Sequence, residues 1–190
     1  NDRWVLKAEL QTMGLNAIRI EALTDKSMPR NGPGRAGNGN FALSDIRVFA
    51  ANKKGGQRVP VKLVNPKATH QQNTGGLSVA SSIDGDKRKS GWAVDFGGIG
   101  KEQAAVFEFA APVGFEGGTI LTVEMDFYVN TRHTIGRPRL AVTAAPRPVA
   151  IKGDSSAASV ATLLAAVKQA GSVEKLDAKQ RAALLKIYRA

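Results

Sequence analysis

The sequence predicts a mainly β chain, an antiparallel β-sandwich of jelly-roll type with a short two-helix tail at its C-terminal end. Three observations carry this. Several segments of the first ~150 residues alternate apolar and polar side chains, the period of a strand with one buried face. Glycine and Asn/Asp clusters punctuate those segments at near-regular spacing, with no helical period between them. Past Pro146-Arg147-Pro148 the apolar spacing becomes helical.

Taken in order, residues 4–10 (WVLKAEL) alternate, and so do residues 17–23 (AIRIEAL). In the second segment Ile18, Ile20 and Ala22 share one face and Arg19 and Glu21 the other. Residues 41–50 form the next strand. Residues 57–64 form a shorter one, where Pro60, lacking a ladder N–H, marks an edge. Residues 91–96, 103–109, 119–129 and 139–143 complete the set. Gly55-Gly56, Asn73-Thr74-Gly75-Gly76, Asp84-Gly85-Asp86, Gly97-Gly98 and Gly117-Gly118 supply turns. In the tail, residues 155–170 set Val160, Leu163, Leu164 and Val167 at helical spacing, with Gly171 as the stop. Asp177 caps a second helix whose apolar side is Leu184, Leu185, Ile187 and Tyr188. The expected division is a β module over residues 1–148 and a helical tail or linker over 149–190.

A chain of 190 residues holds one domain with a proper core and a small appendage. No apolar run approaches the ~18 residues of a membrane span. The opening Asn1-Asp2-Arg3-Trp4 reads as a mature product or a piece of a larger protein. Cysteine is absent, which excludes disulfides, thiolate metal sites, thiol nucleophiles and covalent haem attachment in this chain. The formal net charge of +11 points to polyanions. The basic residues are scattered, the tightest groups being Lys87-Arg88-Lys89, Lys53-Lys54 and Arg137/Arg139. With no basic helical face and no interleaved aromatic platform, no nucleic-acid partner is expected.

Four stretches bear on chemistry. Glu124 and Asp126 stand two apart on a strand and share a face, which is compatible with acid/base work, with His133 as a third group. The plainer reading is a solvent-facing pair, and no G-x-S-x-G or H-E-x-x-H motif supports catalysis. In residues 84–90, Asp84, Asp86 and Ser90 form an oxygen-rich turn of the kind that holds calcium. The spacing is not that of an EF-hand, and Asp84 capping backbone N–H groups explains the turn as well. Trp92 follows; it opens an apolar strand, so a core position competes with a role in stacking on a sugar. Residues 130–137 concentrate Arg132, His133 and Arg137, planar groups suited to hydroxyl-rich or anionic ligands, or to pairing with a strand carboxylate. Residues 32–40 (GPGRAGNGN) place four glycines, Arg35, Asn38 and Asn40 directly before the strand at Phe41. Such a loop is shaped around a ligand or around its own protein's strands.

These stretches, AIRIEAL, GPGRAGNGNFALSDIRV, SSIDGDKRKSGWAV, AVFEF and RHTIGRPRLAVT, occur in an order that resembles a module of large planctomycete proteins carrying cytochrome c-like and planctomycete-specific domains. The resemblance runs from about Ala17 to Ala190, including the tail segment LDAKQRAALLKIYRA. The chain departs from the family wording at Ser90, where Thr is usual, and at Pro138, where an aromatic is usual. The Asp-Gly-Asp to Gly-Trp stretch is also similar to a turn in discoidin-like, galactose-binding jelly-roll modules. There such a turn often holds a structural calcium, which implies Asp84, Asp86 and Ser90 as ligands.

The resemblance implies an exported protein, periplasmic or at the cell surface, in which this module lies between larger domains. It also implies glycan binding. The first expectation is therefore a non-catalytic carbohydrate-binding module. Arg35, Asn38, Asn40, Arg132, His133 and Arg137 would supply hydrogen bonds, Trp92 a stacking face, and the basic surface a preference for sulfated or uronic acid sugars. The second is a structural domain packing against its neighbours. The third is a polysaccharide-degrading enzyme using Glu124, Asp126 and His133.

Overall fold

A computed structural model describes residues 2–151, 165, 167–169, 171–175, 177 and 181. The chain divides into two compact units, Asn1–Ile151 and Lys152–Ala190. The first unit is mainly β and its sheets are antiparallel. Its strands are β1 (Asp2–Leu10), β2 (Leu15–Leu23), β3 (Ala42–Leu43), β4 (Asp45–Asn52), β5 (Val59–Val61), β6 (Leu63–Ala68), β7 (Trp92–Ala93), β8 (Gln103–Val113), β9 (Thr119–Phe127) and β10 (Arg137–Thr143). One sheet has the order β1-β9-β4-β5, a second β10-β2-β8-β6, and β3 pairs β7 apart from both.

Alternation explains why these segments face one another. Ile18 and Ile20 of β2, Phe107 and Phe109 of β8, Val48 of β4 and Met125 of β9 all enter one core. Each such buried side chain contributes about 1.5–3 kcal/mol relative to exposure. Two four-stranded sheets sharing one apolar interior are an arrangement consistent with a β-sandwich.

The strand boundaries differ from the sequence expectation in three places. The strand expected over residues 41–50 breaks at Ser44, whose N–H and hydroxyl both donate to the Asp126 carbonyl, each at 2.8 Å. The segment expected as one strand over residues 57–64 is two, β5 and β6, because the chain changes sheets at Lys62. Pro60 does lie on an edge strand, opposite Phe49. The strand expected over residues 91–96 lasts only through Ala93.

Residues 144–151 cross the outer face of the second sheet and stay with the β unit, past the expected boundary at Pro148. Their anchor is Glu108, a buried carboxylate of β8. It accepts hydrogen bonds from the Val149 N–H at 2.9 Å, Asn65 Nδ2 at 2.9 Å and Lys67 Nζ at 3.2 Å. These donors hold its carboxyl below the usual range although burial pushes the other way; the Asn65 bond contributes most. Arg147 donates to the Phe109 and Ala110 carbonyls at 2.7 and 2.9 Å, and Arg19 donates to the Ile151 carbonyl.

Most of the expected two-helix tail lies outside the described residues. Within it, Ala165 and residues 167–169 are helical, and Gly171 sits at φ 74° with its N–H donating to the Val167 carbonyl at 2.9 Å. Among the described residues no helix is long and apolar enough to cross a membrane.

Candidate functional site

The glycine-rich loop follows β2 and a 3-10 turn at Pro29–Asn31. It folds back on itself: the Gly34 N–H donates to the Gly39 carbonyl at 2.8 Å, and the Gly39 N–H to the Ala36 carbonyl at 2.7 Å. Gly34 shows why the loop needs glycine. A Cβ there would lie 1.9 Å from the Asn40 carbonyl oxygen and 2.6 Å from the Phe41 nitrogen, both backbone atoms.

The two amides of the loop are engaged in holding it. Asn38 Oδ1 accepts from the Asn40 N–H at 3.1 Å, and Asn38 Nδ2 donates to Asp95 Oδ2 at 2.9 Å. Asn40, 5% exposed, accepts the Val94 N–H on Oδ1 at 3.0 Å and donates to Gln72 Oε1 at 3.3 Å. Both expected ligand residues are thus positioning groups. They tie residues 38–40 to residues 94–95.

The loops singled out in the sequence do meet. The Arg35 N–H donates to the Thr134 carbonyl at 3.0 Å, the Gly136 N–H to the Pro33 carbonyl at 2.8 Å, and the Ala42 N–H to the His133 carbonyl at 2.9 Å. A third loop joins them where the Gly100 N–H donates to the Gly32 carbonyl at 2.7 Å. This end of the unit is where β2 stops and where β8 and β10 begin. Arg35 and Arg132 are exposed there, and neither side chain has a hydrogen bond or ion pair among the described residues. Exposed Arg30 is likewise unpaired there. Arg137 is also exposed and reaches Asp25 at 3.3 Å. His133 is half-buried, with Nδ1 2.9 Å from the Thr131 carbonyl.

Trp92 is not part of this surface. It is 0% exposed, packs edge-on to Phe41 with ring centroids 4.9 Å apart, and donates its indole N–H to the His70 carbonyl at 2.9 Å. A ring with no open face cannot stack on a ligand, so the expected stacking role is corrected to a core role.

The turn at Asp84–Asp86–Ser90 precedes β7. Its Lys87 reaches toward Asp126 at 3.6 Å. Asp84 accepts the Asp86 N–H at 2.7 Å and the Ser90 hydroxyl at 2.8 Å; Asp86 accepts the Arg88 and Lys89 N–H groups at 2.9 and 3.1 Å. These bonds hold the turn together from within, with Asp84 and Asp86 each capping backbone N–H groups. Among the described residues no group of three or more His, Cys, Asp and Glu side chains could hold a metal.

Glu124 and Asp126 do share the outer face of their sheet, but they are buried, which corrects the solvent-facing expectation. Asp126, 0% exposed, takes Arg3 Nε at 2.6 Å and Arg47 Nη2 at 2.9 Å. Glu124 takes Arg58 Nη1 at 2.9 Å and Arg47 Nη2 at 3.1 Å. Register explains the convergence: Arg3 and Asp45 both stand opposite Asp126, and Arg47 stands opposite Glu124. Burial raises the Asp45 carboxyl, and the Arg47 charge beside it at 3.3 Å opposes that shift. The face is an ionic network in which arginines pair both carboxylates, and His133 belongs to the loop surface instead.

One residue of the loop end escaped the sequence reading. Phe96 was expected to end a strand; it stands 79% exposed at φ 56°. The signal was the run of glycines after it, Gly97, Gly98 and Gly100, which suits a loop and not a strand. A cleft of about 260 Å³ lies elsewhere, between β1 and β10, where Leu6, Leu10, Leu121 and Leu140 line it. No protein-family model, curated protein or solved structure matches this chain.

Proposed function

We propose that this chain is a non-catalytic carbohydrate-binding module for an anionic polysaccharide, sulfated or rich in uronic acids. The observation that carries the reading is the pair Arg35 and Arg132. Both are exposed and unpaired among the described residues, on loops whose backbones are bonded to each other. Guanidinium groups match carboxylate and sulfate geometry with two parallel hydrogen bonds. Loops braced in advance lose little entropy on binding. Arg137 and His133 border the same surface, and the net charge of +11 favours the approach of a polyanion. Asn38 and Asn40 serve by shaping the loop. A jelly-roll, galactose-binding-like topology belongs to this proposal; eight of the ten strands among the described residues lie in two four-stranded antiparallel sheets, which supports it. So does a place within a larger exported protein, on the strength of the planctomycete resemblance. The ionic pairing of Glu124 and Asp126 supports the non-catalytic part.

A second reading, a structural or interaction domain, is favoured by the Asn38–Asp95 and Asn40–Val94 bonds, which are internal. Calorimetry separates the two. The protein is titrated with polygalacturonate, chondroitin sulfate and a neutral glucan, with and without calcium, at low and high salt. Binding to at least one anionic polymer but not to the glucan supports the module. No heat with any polymer at millimolar sugar, in either calcium condition, refutes it.

A further inference from the structure

We propose that Phe96 is a stacking platform for one pyranose ring of the anionic glycan, a role that rests on the binding reading above. A bulky residue at φ 56° is a backbone outlier, because its Cβ crowds the neighbouring carbonyl; glycine or asparagine normally fills such a place. Outliers of this kind persist only where surrounding contacts enforce them, and they gather at functional positions.

Here the enforcement is visible at Asp95. Its Oδ1 accepts the Phe96 N–H at 2.9 Å, its Oδ2 accepts Asn38 Nδ2 at 2.9 Å, and its carbonyl lies 3.0 Å from His70 Nε2. On the other side Lys101 Nζ donates to the Gly97 carbonyl at 2.9 Å. Gly98 has no room for a side chain, since a Cβ would sit 2.2 Å from the Val94 carbonyl oxygen. The chain is fixed on both sides of Phe96, and the two residues after it carry no side chain that could cover the ring.

The ring gives the fold little in return, because 79% of the residue is exposed. What it offers is a flat π face whose negative charge attracts the C–H groups on the apolar face of a pyranose. The occupant follows from its surroundings. The Gly100–Gly32 bond and the Asn38–Asp95 bond join this loop to the loop that carries Arg30 and Arg35. A hexuronate or sulfated hexose resting on Phe96 therefore has guanidinium groups on the adjoining loop for its charge. A neutral aromatic or aliphatic ligand would leave those cations unused.

The test uses the full chain, wild type and the variants Phe96→Asn and Phe96→Tyr, titrated with polygalacturonate and chondroitin sulfate. Asparagine tolerates the left-handed backbone, so Phe96→Asn keeps or raises the melting temperature while affinity falls by about tenfold or more. Phe96→Tyr retains binding. If wild type binds and Phe96→Asn stays within about twofold of it, the platform is refuted and the arginine-based reading stands. If Phe96→Asn lowers the melting temperature by several degrees, the ring is structural and the platform is again refuted. If wild type binds neither polymer, both proposals fall.

Discussion

Asn40→Ala tests whether the glycine-rich loop is braced as described. The side chain is buried, and its Oδ1 is the acceptor for the Val94 N–H at 3.0 Å. Val94 is itself in the core, so no water replaces that acceptor when it is removed. A buried N–H left without a partner costs about 1–3 kcal/mol. Loss of the longer bond to Gln72, at 3.3 Å, adds about 0.5 kcal/mol at the low end of the usual range. The expected total is about 1.5–3.5 kcal/mol, or roughly 3–14 °C in melting temperature for a unit of this size. Arg35→Ala is the control: its side chain is exposed and unpaired among the described residues, and the expected change is within about 0.5 kcal/mol. Scanning calorimetry and urea unfolding measure both. An Asn40→Ala variant as stable as wild type would refute the reasoning, as would an Arg35→Ala variant that loses as much as Asn40→Ala.

Two further substitutions probe other parts of the account. Gly34→Ala forces a Cβ to 1.9 Å from a backbone oxygen, so it is expected to cost about 4 kcal/mol or more, read as loss of folded protein by circular dichroism; a wild-type spectrum and melting curve contradict this. Glu108→Gln tests the anchor of residues 144–151. The Glu108 carboxyl is held below its ordinary 4.5 in the folded chain, so its contribution is fully present above that value and fades as pH falls through the folded pKa. The variant should be less stable than wild type by about 1.5–3 kcal/mol at pH 7, the range for hydrogen bonds to a charged group. The gap should narrow as the solution is acidified, and urea unfolding across pH would show it; a pH-independent gap counts against the ionised carboxylate as the anchor.

Much of the β framework was legible because alternation is local. Ile18, Ile20 and Ala22 point inward in β2 while Arg19 and Glu21 pair at 3.0 Å outside, as the period of two requires. Pro60 marked its edge for an equally local reason. What the sequence could not display was partnership across distance. Arg3 and Arg47 lie 123 and 79 positions from Asp126, so the burial of that carboxylate depends on register, not on its neighbours in the chain. The same holds for Asn40. Its type suggested a ligand contact, and only the approach of Val94, 54 positions away, turns it into a brace. Trp92 sat at the head of an apolar run, and the structure settles it in the core. Phe96 continues the alternation of Val94 and Asp95, but the strand ends at Ala93, where the next N–H, that of Val94, goes to the Asn40 side chain.

The central claim is that braced loops present Arg35 and Arg132 to an anionic glycan. Its most direct test is calorimetric titration of wild type and the double variant Arg35→Ala/Arg132→Ala with polygalacturonate and chondroitin sulfate. The account predicts that wild type binds at least one polymer and that the double variant loses about tenfold or more in affinity, with its melting temperature unchanged. Equal affinity in the two proteins, or no binding by either, would contradict it.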